Sequence, residues 1–100
     1  MNINFVKIMY YIENRVKKCK CTVEYGFCPI DNSIRVDVFK WDEKLDAGNE
    51  LGYYLDEASE LFEDIKRECK KFIKNIKIIN PSEMGKGFYD YREIIIVPNE

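Results

Sequence analysis

Between Asp56 and Ile79 the apolar side chains return every three or four residues: Ala58, Leu61, Phe62, Ile65, Cys69, Phe72, Ile73 and Ile76. That spacing predicts one long amphipathic helix with all eight on a single stripe. Asp56 is placed to cap its start, Glu57, Glu60, Glu63 and Asp64 follow in the first turns, and Lys66, Arg67, Lys70, Lys71, Lys74 and Lys77 come later. This order complements the helix macrodipole at both ends, and Glu63 with Arg67 adds an i,i+4 pair. A first helix is predicted from Asn4, as N-cap, to about Lys18, because Phe5, Ile8, Met9, Ile12, Val16 and Cys19 repeat the same spacing. Val6, Tyr10 and Tyr11 widen its apolar arc, so one of the tyrosines is expected at a boundary with solvent or a partner.

From Cys21 the period changes to two. Cys21, Val23, Tyr25 and Phe27 alternate with polar or small residues, as do Ile34, Val36 and Val38, which predicts two half-buried strands. Pro29 to Ser33 is turn chemistry, so the pair is expected as an antiparallel hairpin. Phe39 and Trp41 fall in phase with Arg35 and Asp37 on its polar face. A short strand is conceivable over Leu51 to Leu55, and Lys77 to Ile79 reads alternatively as strand. Pro81 stops the long helix, Ser82 to Gly87 is loop, and Tyr89 to Val97 is a strand whose Ile94-Ile95-Ile96-Val97 run suits an inner position.

The order α-β-β-α-β predicts a single α+β domain over residues 1–100, a small antiparallel sheet with two amphipathic helices packed on one face. A right-handed crossover through the long helix would set the last strand parallel to the second and let it pair antiparallel with the first. One hundred residues suffice for one core.

Composition narrows the function classes. A net charge of -2 and a pI near 5.3 disfavour general nucleic-acid binding, and no direct nucleic acid is expected as a partner. No apolar run reaches the length of a membrane span and no signal-peptide layout opens the chain, so a cytoplasmic location without membrane contact is expected. The Ile-, Lys- and Asn-rich usage suits AT-rich coding DNA of a low-GC bacterium or its phage. The chain has no histidine, which excludes Ser-His and Cys-His nucleophile pairs. Neither phosphate-loop nor dinucleotide glycine motif is present. Asp31 with Asp42-Glu43-Lys44 has the acid, acid-x-lysine layout of metal-dependent nucleases, which is kept as an alternative. Cys19, Cys21, Cys28 and Cys69 lack paired C-x₂-C spacing and read as reduced thiols; no metal or cofactor is expected.

Charge is segregated along the chain. Residues 42–64 carry nine acids against Lys44 alone, whereas residues 1–41 and 65–100 are each basic by three. Trp41, Tyr53 and Tyr54 flank this block. Trp41, Asp42, Glu43, Asp46, Glu50, Tyr53, Tyr54, Glu57, Glu60, Glu63 and Asp64 are therefore the candidate partner-binding residues, carboxylates steering an encounter and aromatics anchoring it. Basic residues at Arg15–Lys20 and Lys66–Lys77, with Tyr10, Tyr11 and Phe88, would suit an alternative as a phage DNA-binding accessory protein.

In layout, one α+β domain of about a hundred residues with no catalytic set and a dense acidic segment, the chain resembles the small inhibitors carried by phages and mobile elements, anti-CRISPR proteins among them. That resemblance implies a non-enzymatic inhibitor occluding a basic, nucleic-acid-handling surface of a host protein such as a CRISPR effector. An immunity protein against a nuclease toxin is a neighbouring alternative.

Overall fold

The computed structural model describes residues 2–39, 50–79 and 91–100, with side chains at 2–38, 57–79 and 92–100. Helix α1 (Ile3–Val16) is capped by Asn2 rather than Asn4: the Asn2 side chain accepts from the Asn4 N–H at 2.8 Å. Asn4 instead donates its side-chain amide to the Asn99 carbonyl at 3.0 Å. Asn99 in turn donates its backbone N–H to the Phe72 carbonyl, so this one residue ties the start of α1 to Phe72. Tyr10 is exposed, while Tyr11 packs against the core.

Strands β1 (Thr22–Cys28) and β2 (Ser33–Phe39) form the expected antiparallel hairpin, Cys28 opposite Ser33 across Pro29–Asn32. Asn32 takes the left-handed conformation at φ 56°, which asparagine tolerates better than most residues. The turn is held by Asp31, whose carboxylate accepts from the Ser33 hydroxyl and from Arg35 Nη2.

The second helix differs from expectation at both ends. α2 spans Glu50–Glu68, so Asp56 lies inside it and Leu51–Leu55 is helix rather than strand. Beyond Cys69 the chain tightens into a 3-10 turn (Lys70–Phe72) and then extends as β3 (Ile73–Ile79). Phe72, Ile73 and Ile76 had continued the helical stripe, but Ile76 and Ile78 also alternate, and β-branched side chains lose less in a pleated sheet than in a helix. The sheet supplies the deciding contact, because β4 (Tyr91–Pro98) has an apolar run that needs a strand on each side.

Among the described residues four strands pair in the order β1-β2-β4-β3, every neighbour antiparallel. The last strand therefore runs antiparallel to the second and does not touch the first. It is β3, reached through α2, that lies parallel to β2, with β4 inserted between them as in a split βαβ unit. The strand that returns through α2 to run parallel to β2 is thus β3 and not the last strand of the chain.

Both helices cover one face. Ile8 and Ile12 of α1, and Ala58, Leu61, Phe62 and Ile65 of α2, are buried with Ile34, Val36 and Val38 of β2 and Ile94 and Ile96 of β4. Arg92, at the end of the same face, lies 5.5 Å from the Phe62 ring and donates to Ser59 Oγ. Among the described residues, no helix is long and apolar enough to cross a membrane.

Truncating the central strand should be costly. Ile96→Ala is expected to lose about 2–5 kcal/mol in urea unfolding. Ile30→Ala, at a side chain 94% exposed on the hairpin tip, should stay within about 0.5 kcal/mol.

Candidate functional site

Of the predicted contact residues, Trp41, Asp42, Glu43 and Asp46 lie outside the described residues. Glu50, Tyr53 and Tyr54 belong to α2, and their side chains lie outside the description. Glu57, Glu60, Glu63 and Asp64 stand on two well-described turns of the helix, where the core positions 58, 61, 62 and 65 fix which way each points.

These four carboxylates divide by flank. On the flank toward α1, Glu57 Oε1 accepts the backbone N–H groups of Lys20 at 2.7 Å and Cys21 at 2.6 Å, pinning the connection between α1 and β1. Asp64 accepts Arg15 Nε at 3.0 Å and Arg67 Nη2 at 2.7 Å. Arg15, then Arg67, holds the Asp64 carboxyl below the usual carboxylate range. Glu57 and Asp64 are thus engaged within the molecule. Among the described residues Glu63, 65% exposed, makes only a 3.4 Å surface pair with Lys66, and Glu60 is exposed.

The thiols point to no site. All four cysteines are free, and burial pushes the Cys19 thiol up and the Cys69 thiol up to about 11, away from the reactive thiolate. Cys21 lies just before β1 and Cys28 is its last residue, about 23 Å apart at about 3.3 Å per strand residue. Among the described residues, no three cysteine, aspartate or glutamate side chains converge to hold a metal. Asp31, the described member of the nuclease layout, is occupied by the hairpin: Ser33 and Arg35 bring its carboxyl down to about 2. Asp42 and Lys44 lie outside the described residues.

One cluster escaped the sequence reading. On the sheet face away from the helices, register sets Glu24 opposite Asp37 and Asp37 opposite Glu93, three carboxylates in one row. Glu93 is 6% exposed, and Arg35 reaches it at 3.6 Å. Burial is the largest influence on Asp37, followed by its hydrogen bond to Glu93 and the charges of Glu93 and Glu24; together they outweigh Arg35 and push the carboxyl up to about 7. Asp37 Oδ1 and Arg35 Nε are buried without a hydrogen-bond partner among the described residues. The row holds a proton near neutral pH, and among the described residues no metal-holding set accompanies it. Part of it was readable: a turn over Pro29–Asn32 already aligns Glu24 with Asp37, whereas Glu93 needed the strand order.

Compared with known proteins, the chain matches no family model and no curated sequence.

Folded Asp37 keeps its proton over a range where the unfolded chain, near 3.8, has released it. Its contribution is therefore complete below about 4 and is lost as pH rises through about 7. No histidine titrates in that window. Urea unfolding is expected to show stability declining from pH 5 to pH 8, and Asp37→Asn should flatten the decline and raise stability at pH 8. An unaltered slope in that variant would exclude this row as its source. Glu57→Ala, which leaves the Lys20 and Cys21 amides without their acceptor, should cost about 1–3 kcal/mol in the same assay.

Proposed function

We propose that the protein is a non-enzymatic binding protein that occupies a basic, nucleic-acid-handling surface of a partner, in the manner of an anti-CRISPR inhibitor on its effector's nucleic-acid channel. The observation that carries this reading is charge segregation: the nine acids of residues 42–64 face only one lysine in that stretch. Glu60 and Glu63 support it by extending the acidic stretch onto an exposed part of α2. Glu57 and Asp64 serve the fold, so within this reading they hold the acidic surface in shape rather than meet the partner. Chemistry is disfavoured by a chain with no histidine and by the half-buried Cys19 and buried Cys69 thiols, which burial holds against ionisation.

Long-range attraction of this kind raises the association rate and fades with salt, because the Debye length falls from about 10 Å at 0.1 M to about 3 Å at 1 M. Affinity capture from the lysate of a low-GC bacterium, with mass spectrometry, should retain nucleic-acid-handling proteins at 0.1 M salt. Capture should fail at 1 M salt, in the presence of excess nucleic acid, and with the Glu60→Lys/Glu63→Lys variant. The variant should unfold at the same urea concentration as the parent, since both positions are exposed. Retention of the same proteins by the variant would remove this surface from consideration.

A further inference from the structure

The end of α2 and the edge strand β3 enclose a groove of about 640 Å³ that shares only Glu63 with the acidic stretch. It is lined by Glu63, Lys66, Arg67 and Lys70 on the helical side and by Ile73, Lys74, Asn75 and Ile76 on the strand side. The fold makes it: α2 stops at Glu68, the 3-10 turn reverses the chain, and β3 starts with a register shift between Ile73 and Asn75. Four cations thus meet one carboxylate. Two are partly neutralised, Lys66 by Glu63 at 3.4 Å and Arg67 by Asp64 at 2.7 Å and Glu68 at 3.4 Å. Lys70 and Lys74 have no ion pair among the described residues, and Ile73 and Ile76 lie half-buried beside them.

Charge at the rim and apolar surface between decide the occupant. A nucleic-acid strand would meet the cations, but among the described residues no aromatic ring lines the groove to stack on its bases, and phosphates would leave Ile73 and Ile76 unsatisfied. Simple strand addition along β3 is hindered too, because the register shift breaks the edge and the Asn75 side chain accepts the Ile76 N–H at 2.9 Å. A peptide bearing both carboxylates and aliphatic side chains satisfies both features at once. We propose that this groove binds an acidic, aliphatic-containing segment of a partner protein, carboxylates on Lys70 and Lys74 and an aliphatic side chain on Ile73 and Ile76. The site adjoins the acidic stretch of α2 at Glu63, but its proposed contacts are made by Lys70, Lys74, Ile73 and Ile76 and do not depend on the role of that stretch.

The test uses the full chain and fluorescence anisotropy at 50 mM salt with three labelled probes: a peptide of alternating glutamate and leucine, an oligoglutamate of equal charge, and a 20-base-pair DNA duplex. The glutamate–leucine peptide should bind at least tenfold more tightly than either of the others. Lys70→Glu/Lys74→Glu should weaken it at least tenfold with an unchanged urea midpoint, whereas Glu60→Lys should leave it unaffected. Equal binding of oligoglutamate, tighter binding of the duplex, or a charge-reversed double variant that still binds the peptide would each overturn the proposal. Loss of capture in a Glu60→Lys variant, which leaves the groove lining untouched, with intact peptide binding would show that the two surfaces stand or fall separately.

Discussion

Burial of the β2–β4 pair beneath two helices is the contact on which the rest of the molecule depends. Ile34, Val36 and Val38 lie beside Ile96, Ile94 and Arg92 across that pair, and the stripes of α1 and α2 close over the aliphatic members. Neither helix could bury its stripe alone, and a two-stranded hairpin is marginal in water. Placing the last strand second from the edge solves both problems. It gives the helices a wide apolar floor and puts the most apolar segment of the chain between two neighbours. β3 then takes the edge, where Lys74 and Lys77 discourage further strand pairing.

The same architecture explains which elements the sequence made legible. α1, the hairpin and β4 were readable because their periods were unambiguous over a full element. Residues 69–79 were not, since Cys69, Phe72, Ile73 and Ile76 satisfy a helical period while Ile76 and Ile78 satisfy a strand. Local pattern could not choose; the vacancy beside β4 did. At the candidate site the division is similar. That α2 carries acids early and bases late was plain from sequence, but the use of Glu57 as an acceptor for two backbone amides depends on where the α1–β1 connection passes. No spacing rule reports that.

α2 thus has a dual character with physical consequences. Its early carboxylates and late cations suit the macrodipole, and tertiary contacts then sort them. Flank by flank, Glu57 and Asp64 turn toward α1 and its connection to β1, while Lys66 and Lys70 turn toward β3. Charges that began as helix-stabilising patterning are divided between fixing the fold and remaining open to a partner. Exposed pairs such as Lys66 with Glu63 add little stability, so they can exchange partners at small cost.

The carboxylate row of Glu24, Asp37 and Glu93 looks like a defect, since like charges directly opposite one another destabilise a strand pair. Its value lies in what it forbids. Ile94, Ile95, Ile96 and Val97 are apolar on both faces, so hydrophobic pattern alone leaves the register of β4 weakly specified. A slip of one residue would turn a strand's polar positions into the core. For β2 that would carry Arg35 and Asp37 beneath the helices, where unpaired charge is far more costly than crowding near the surface. Arg35 reaches Glu93 in the observed alignment, and Asp37 keeps its proton there because it is buried and, next, because Glu93 is its neighbour. The polar row therefore selects the alignment that the isoleucines stabilise but cannot choose, and the raised Asp37 is the local cost of that selection.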